Sequence, residues 1–419
     1  MNNEKQKLLT FYTSSHKNMF NEYFKPSFNK YLKDEFELVE MEGDQICKSA
    51  IYQNDGWNES VFEKVKFIYN FMNNDKSDFF VFSDVDIEFF SSIKKILIDE
   101  LGDEDIAFQC DGGEFLCSGF FICKNNEKMK KLFKKMVDDY DHSKGDQYNY
   151  NYFIKRSNVK YKFLSNKFFS IWRTSDKQRW CYEDNIIFPK YPIVVLHANW
   201  TKGVKNKEKL LNIFKYRNEI QDELEKGIKD EQLDIIKKLD KMSYIEYLYI
   251  SNDILFKDKC NLLVFGAGYD SKLWININKK GRTFFLEDSE EWIDIVSKEN
   301  YRINIFKVKY TTCIKNVDKY IEKYNKGEID FLNMNIPLEI MNIKWDMILV
   351  DAPVGGRVFF DEHEYGRFQS LYAAYQLFLN NKDVTVFVHD CDRFIDKIWT
   401  KMFFGNNYSQ IDTLRKYCK

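Results

Sequence analysis

The stretch that decides the first half of the chain is Phe79-Phe80-Val81-Phe82-Ser83-Asp84-Val85-Asp86-Ile87-Glu88-Phe89-Phe90. Its first four residues are aromatic or β-branched, which is what a strand buried on both faces of a sheet requires. Such a strand presents its chemistry at its carboxyl end. There the run stops at two aspartates one residue apart. Oxygen ligands on alternate positions grip a hard divalent cation whose remaining sites go to water and phosphate, so Asp84 and Asp86 are candidate metal ligands for a nucleoside diphosphate. A solvated Asp-x-Asp turn is the competing reading, because the triplet is common by chance.

Working outward from this point, Lys7–Thr13 reads as a first buried strand followed by the polar loop Ser14-Ser15-His16, and Phe36–Met41 as a second strand. Apolar residues at helical spacing place a helix over Trp57–Phe71, with Asn58 or Ser60 as its cap and Lys64 and Lys66 on a solvated face or reaching a phosphate. Beyond the aspartates come a helix over Ile93–Leu101 and a strand over Ile106–Cys110 that ends at Asp111. Phe115–Cys123 reads as a strand interrupted at Ser118-Gly119, where a missing side chain lets a ligand approach the backbone. Gly145-Asp146-Gln147 opens a helix, with Asp146 either capping it or facing a substrate. Ile193–Ala198 is a strand delivering His197, which is otherwise an ordinary strand-end histidine.

At 419 residues the chain suits two or three domains. Its 63 basic and 65 acidic residues give a net charge of -2, so no global field draws it to nucleic acid or an anionic membrane. Nine cysteines without zinc spacing read as reduced thiols. With no apolar leader and no run of about 18 apolar residues, the expectation is a cytoplasmic protein without a transmembrane segment, in the host cytoplasm if viral. The 17% aromatic content promises dense cores and rings for stacking on a base or sugar.

In the second half, Asn261–Ser271 (NLLVFGAGYDS) is a strand, a glycine turn and a helix start, in which Gly266 and Gly268 let a nucleotide approach. About 20 residues on, Thr283–Leu286 ends at Glu287, where an acid grips ribose hydroxyls. Lys307–Tyr310, Trp345–Val350 and Val384–Val388 continue the rhythm of a doubly wound parallel sheet. Asp351 and Asp390 end strands that should be neighbours, an arrangement suited to orienting a hydroxyl or holding a divalent metal. Between the halves, residues 206–258 read as two or three amphipathic helices rather than a tether.

Six blocks of the first half resemble the GT-A fold, DxD-bearing nucleotide-diphospho-sugar glycosyltransferases of plants, bacteria and large DNA viruses. They are Thr13-Ser14-Ser15-His16, Ser83–Asp86, Phe108–Asp111, Cys117–Phe121, Gly145-Asp146-Gln147 and Leu196–Gly203. The resemblance implies Mn or Mg on Asp84, Asp86 and His197, and donor contacts at Thr13 and Ser14. It further implies substrate contacts at Gly119, Gln147 and Lys202, and acceptor or catalytic roles for Asp111 and Asp146. In the second half VFGAGYDSKLW, FFLEDSEEW, KYTT, WDMILVDAPVG, GRFQSLYAA and VFVHDCDR are similar to the glucuronoxylan 4-O-methyltransferase family. That implies S-adenosylmethionine at Gly266, Gly268, Asp270 and Glu287, and an acceptor pocket lined by Asp351, His389, Asp390 and Arg393, with Asp351 or His389 as base. The segment after Pro353 departs from that family, and Arg357 or Arg367 would pair with a sugar carboxylate.

The expected architecture is α/β throughout. A GT-A nucleotide-diphospho-sugar transferase fold (1–215) is followed by a helical connector (216–257) and a Rossmann-like methyltransferase fold (258–419). The expected activity is metal-dependent sugar transfer from a nucleotide-sugar donor to a glycan, then S-adenosylmethionine-dependent O-methylation of a sugar hydroxyl. Two alternatives stay open: a non-catalytic carbohydrate- or metal-binding first half, and a nicotinamide-dependent dehydrogenase in the second.

Overall fold

The computed structural model describes residues 5–171, 188–299, 303–354 and 364–419. The chain forms two compact units, Met1–Ile220 and Gln221–Lys419. Among the described residues no helix is long and apolar enough to cross a membrane.

In the first unit a six-stranded sheet runs in the order β2 (Phe36–Gly43), β1 (Gln6–Thr13), β3 (Phe79–Ser83), β6 (Leu116–Lys124), β5 (Ile106–Cys110) and β7 (Tyr161–Phe163). β1 is parallel to β2 and β3, whereas β6 is antiparallel to both β3 and β5. Side-chain alternation sends Phe80 and Phe82 into one core and Val81 into the other, which is why the first four positions of β3 are apolar. A second sheet places β9 (Val195–His197) between β4 (Ile87–Phe89) and β8 (Phe168–Ser170). Asp84 and Asp86 occupy the step where the chain leaves one sheet for the other.

The helix over Trp57–Asn74 buries Val65, Ile68 and Met72 at helical spacing, but neither Asn58 nor Ser60 caps it. Gly56 holds that position at φ +79°, because a Cβ there would sit 2.6 Å from the Ile46 carbonyl. Ser60 instead donates to the Gly56 carbonyl at 2.9 Å. β6 runs without interruption through Ser118-Gly119.

The second unit is a seven-stranded sheet. Its order is β12 (Asn304–Lys307), β11 (Arg282–Glu287), β10 (Asn261–Phe265), β13 (Met347–Val350), β14 (Thr385–Val388), β16 (Leu414–Cys418) and β15 (Ser409–Ile411). The first five are parallel, and β16 pairs antiparallel with both β14 and β15. The third strand thus ends at Lys307, where 307–310 was expected; Val308 and Tyr310 turn into the core instead. Much of the expected connector is built into this unit. Leu233 and Ile236 of the Asp230–Ile236 helix and Tyr244, Tyr247 and Leu248 of the Tyr244–Phe256 helix share a core with Leu262 and Trp274. Trp274, Trp345 and Trp399 are fully buried, and truncating such a ring costs about 3–5 kcal/mol.

Candidate functional sites

In the first unit a cleft of about 610 Å³ is walled by Thr13, Lys64, Asp84, Asp86, His197 and Lys207, among others. Asp84, Asp86 and His197 each bring a ligand atom, all within 4.8 Å of one another. Gly119 faces them from β6: a Cβ there would lie 2.5 Å from His197 Cε1 and 2.6 Å from Asp84 Oδ2. Its missing side chain leaves room for the two ligands to converge.

The orientation of His197 tests whether a cation fits. Gln109 donates through Nε2 to the carbonyls of Phe168 and Phe169 (3.2 and 3.0 Å), so its amide oxygen is the atom turned 2.7 Å from His197 Nδ1. Nδ1 therefore carries a proton, and in the neutral ring the Nε2 lone pair is left facing Asp86 Oδ1, 3.3 Å away. Two acceptors facing each other across that gap fit a cation between them. With two carboxylates and one imidazole, the donor set suits Mn or Mg.

Two lysines contribute charge to the same acids. Lys64, with a side chain only 6% exposed, lies 3.1 Å from Asp84 and 2.6 Å from Asp146. The expected solvated face is thus an internal bridge, and Asp146 faces this lysine instead of capping its helix. Lys207 contacts Asp86. Burial raises the pKa of both Asp84 and Asp86, but the charge of Lys207 opposes it at Asp86 and that carboxyl is held well below the usual range. For Asp84 burial prevails over Lys64 and the pKa is raised. Environments that separate two carboxylates in this way mark functional sites.

Asp111 accepts from Gln147 Nε2 at 2.6 Å, from Trp200 Nε1 at 3.0 Å and from Asn199 Nδ2. Burial still raises its pKa. Thr13, Gly119, Gln147 and Lys202 all reach the cleft wall, but the Ser14 hydroxyl turns to Gln45 at 3.3 Å and is not in that wall.

In the second unit the ends of β10, β11, β13 and β14 bring the predicted residues to one edge. Gly266 adopts φ +109° and packs against Ala352, where a Cβ would lie 2.8 Å from the alanine methyl. Glu287, buried at the end of β11, accepts from the amides of Ala267 (2.7 Å), Asp288 (3.0 Å) and Ser289 (2.8 Å). The carboxylate is thereby pinned beside the glycine turn, while burial raises its pKa. Asp270 begins the Ser271–Ile277 helix, and burial, then the charge of Asp351, pushes its pKa up to about 7.

Asp351, His389 and Asp390 also converge within 4.8 Å, but their surroundings differ. His389 Nδ1 lies 2.8 Å from Asp351 Oδ1 and its Nε2 3.6 Å from Glu246 Oε2. Burial favours a neutral ring, yet the two carboxylates prevail and hold the pKa of His389 well above its ordinary value. An imidazolium has no lone pair to offer, which corrects its expected role as base. Arg367 is 2% exposed. It donates to the carbonyls of Pro353 (3.2 Å), His389 (2.6 Å) and Asp351 (2.8 Å), to Asp351 Oδ1 (3.1 Å) and to Asp390 Oδ2 (2.7 Å). It is a strut between strand ends, not a receptor for a sugar carboxylate. Arg393 also meets Asp390, at 2.9 Å. With guanidinium and imidazolium filling the acids, this cluster does not fit a divalent cation as arranged. Arg357 lies outside the described residues.

Motif reading passed over Lys207 and Glu246, gave Gln109 no role, and left Lys64 between a solvated face and a phosphate contact. Glu246 is 1% exposed and accepts from Ser243 N (2.7 Å) and from Thr413 N and Oγ1 (2.8 and 2.7 Å). It ties the Tyr244–Phe256 helix and the β15–β16 turn to His389. The capping box Ser243-x-x-Glu246 was the one signal in the sequence, and it concealed the second contact.

Each unit matches a different family. Residues 29–211 match the family model described as nucleotide-diphospho-sugar transferase, and residues 246–417 match that described as IRX15/IRX15L/GXM. Glucuronoxylan 4-O-methyltransferase 3 of Arabidopsis thaliana is 34% identical over 165 residues, 36% of this chain and 54% of the relative. Arabinogalactan O-methyltransferase 1 of the same plant is 33% identical over 177 residues, 38% of this chain and 60% of the relative. The chain thus spans a little over half the length of these curated relatives. Among solved structures, the apo-form glycosyltransferase GlyE of Streptococcus pneumoniae TIGR4 aligns over 90% of each chain at 11% identity, with a TM-score of only 0.35. The two resemblances read from the motifs fall in the same halves as the two family models.

Proposed function

We propose that the chain is a bifunctional glycan-modifying enzyme, with metal-dependent sugar transfer from a nucleotide-sugar donor in the first unit and S-adenosylmethionine-dependent O-methylation of a sugar hydroxyl in the second. The observation that carries the first activity is the lone pair of His197 Nε2 aimed at Asp86 within the cleft. Asp84, Asp86 and His197 would hold Mn or Mg, whose charge neutralises the departing nucleoside diphosphate. Gln109 holds the His197 ring in its tautomer. Lys64 keeps Asp84 and Asp146 together at the sugar end, and Lys207 brings a second positive charge to the diphosphate end.

The second activity rests on relatives named as O-methyltransferases, together with the sheet order that brings Glu287 and the glycine turn to one edge. Bound S-adenosylmethionine would supply an electrophilic methyl group. Asp351 Oδ1 is taken by His389 and Arg367, which leaves Oδ2 outside that network to accept the proton of the acceptor hydroxyl. His389 and Arg367 fix the carboxylate in place. In this scheme both steps modify glycans, and the acceptor polysaccharides are of the classes for which the relatives are named.

The deciding experiment incubates the full chain with a panel of nucleotide sugars with and without Mn, while calorimetry measures S-adenosylmethionine binding. Metal-dependent release of nucleoside diphosphate and 1:1 cofactor binding are expected. The contact of Lys207 with Asp86 favours a second reading, in which the acids are neutralised internally and the first unit only binds carbohydrate. In that case no nucleoside diphosphate is released with any donor.

A further inference from the structure

We infer that Trp200, with Gln147 beside it, forms the acceptor-sugar platform of the first unit, and that Asp111 positions these two groups instead of acting as a base. The inference rests on the glycosyltransferase reading above and names the acceptor side of that same cleft.

Trp200 is 37% exposed although it lines the cleft, so part of the indole is open to a ligand. Its backbone sits at φ +53°, a region that non-glycine residues seldom occupy and that persists where surrounding contacts enforce it. The enforcing contact is visible. The indole Nε1–H donates to Asp111 Oδ1 at 3.0 Å, and the preceding Asn199 binds both that oxygen and Ser170 Oγ, at 2.6 Å from the latter. Asp111 Oδ2 receives the Gln147 amide nitrogen at 2.6 Å. One buried carboxylate therefore collects donors from the loop after β9 and from the Asp146–Lys155 helix, and both of its oxygens are engaged in holding them.

Trp200 and Gln147 both line the cleft, and with Gln147 Nε2 engaged by Asp111 its amide oxygen is the atom left to meet a ligand. An aromatic surface takes the C–H face of a pyranose, and an amide oxygen takes one of its equatorial hydroxyls. Asp84 and Gly119 line the same cleft, so the platform and the donor end share one cavity. The ligand class is thus a pyranose unit of an oligosaccharide.

The test uses the full chain, its best hydrolysed nucleotide sugar, and xylohexaose and a galactan hexasaccharide as acceptors. Trp200→Gly is the informative variant, because glycine is at ease at this φ and only the indole is lost. Its acceptor KM should rise tenfold or more while its donor KM moves less than threefold, and Trp200→Phe should recover most of the loss. Asp111→Asn, which keeps an oxygen for the indole, should cost less than Asp111→Ala. An acceptor KM within twofold of wild type in Trp200→Gly, or a parallel rise in donor KM, overturns the inference. Should wild-type protein hydrolyse no nucleotide sugar, the glycosyltransferase reading fails separately, and calorimetric titration of the hexasaccharides decides the platform alone. Tenfold weaker binding by Trp200→Gly then supports it, and equal binding, or none by the wild type, removes it.

Discussion

The two acidic centres are built from the same residue types, two aspartates and a histidine within 4.8 Å, yet they are different electrostatic objects. At the first, the far nitrogen of His197 meets the amide oxygen of Gln109, so the near nitrogen keeps its lone pair. At the second, His389 stands between the carboxylates of Asp351 and Glu246 and is itself a cation. The charges that balance the acids differ in kind as well. Lysines with point charges and flexible stems serve the first centre, whereas Arg367, whose planar fork is bound to three backbone carbonyls, serves the second. The comparison teaches that a cluster of metal-like composition is read correctly only with the groups behind it.

The largest test is Asp86→Ala. Metal-dependent release of nucleoside diphosphate should fall about a thousandfold, roughly 4 kcal/mol of lost electrostatic stabilisation, with S-adenosylmethionine affinity unchanged; retained turnover would erase the distinction between the centres. Next is a pair of variants followed by scanning calorimetry. Arg367→Met should destabilise the second unit by about 3 kcal/mol, lowering its transition by roughly 10 °C, and no divalent cation should restore it. Lys207→Met should cost less, about 1–2 kcal/mol, and saturating Mn should recover the loss. If Mn rescued Arg367→Met instead, the centres would have been assigned the wrong way round.

A smaller effect is expected from Glu287→Gln, which should weaken S-adenosylmethionine binding by about tenfold to a hundredfold in calorimetry, the value of a hydrogen bond to a charged group. The smallest concerns Asp396, fully buried beside Arg367 and pushed up to about 6 by burial against the pull of Arg367 and Arg393. A carboxyl whose folded pKa is raised binds its proton more readily folded than unfolded. Its contribution is therefore complete below about pH 4 and lost as the pH rises through 6. Asp396→Asn should gain roughly 1–2 kcal/mol on wild type between pH 4 and pH 7 in denaturant titrations; a flat difference would show that Arg367 neutralises all three acids.

The strands were legible because a doubly buried strand is mostly apolar: β5 has the expected span, β3 extends its apolar run by Ser83, and β10, β13 and β14 fall within theirs. The acids at their tips were legible for the same reason, as polar residues that interrupt such runs. Lys64 was not, since helical spacing distinguishes an apolar face from a polar one but not a solvated lysine from one turned inward. Arg367 escaped because the carbonyls that hold it come from strand ends distant in sequence. β15 and β16 are short and partly polar, and their pairing with β14 is a tertiary fact that no local period announces.

Gln109 lies deep in β5, far from solvent. Replacing its NH2 by oxygen, as in Gln109→Glu, would turn His197 into a protonated ring like His389, while Glu246→Gln would remove one of the three carboxylates that face His389. Whether a histidine in this chain serves as an electron-pair donor or a fixed positive charge thus hangs on the choice between nitrogen and oxygen at one interior position. A single nucleotide change that exchanges glutamine for glutamate suffices to silence the centre without altering its shape.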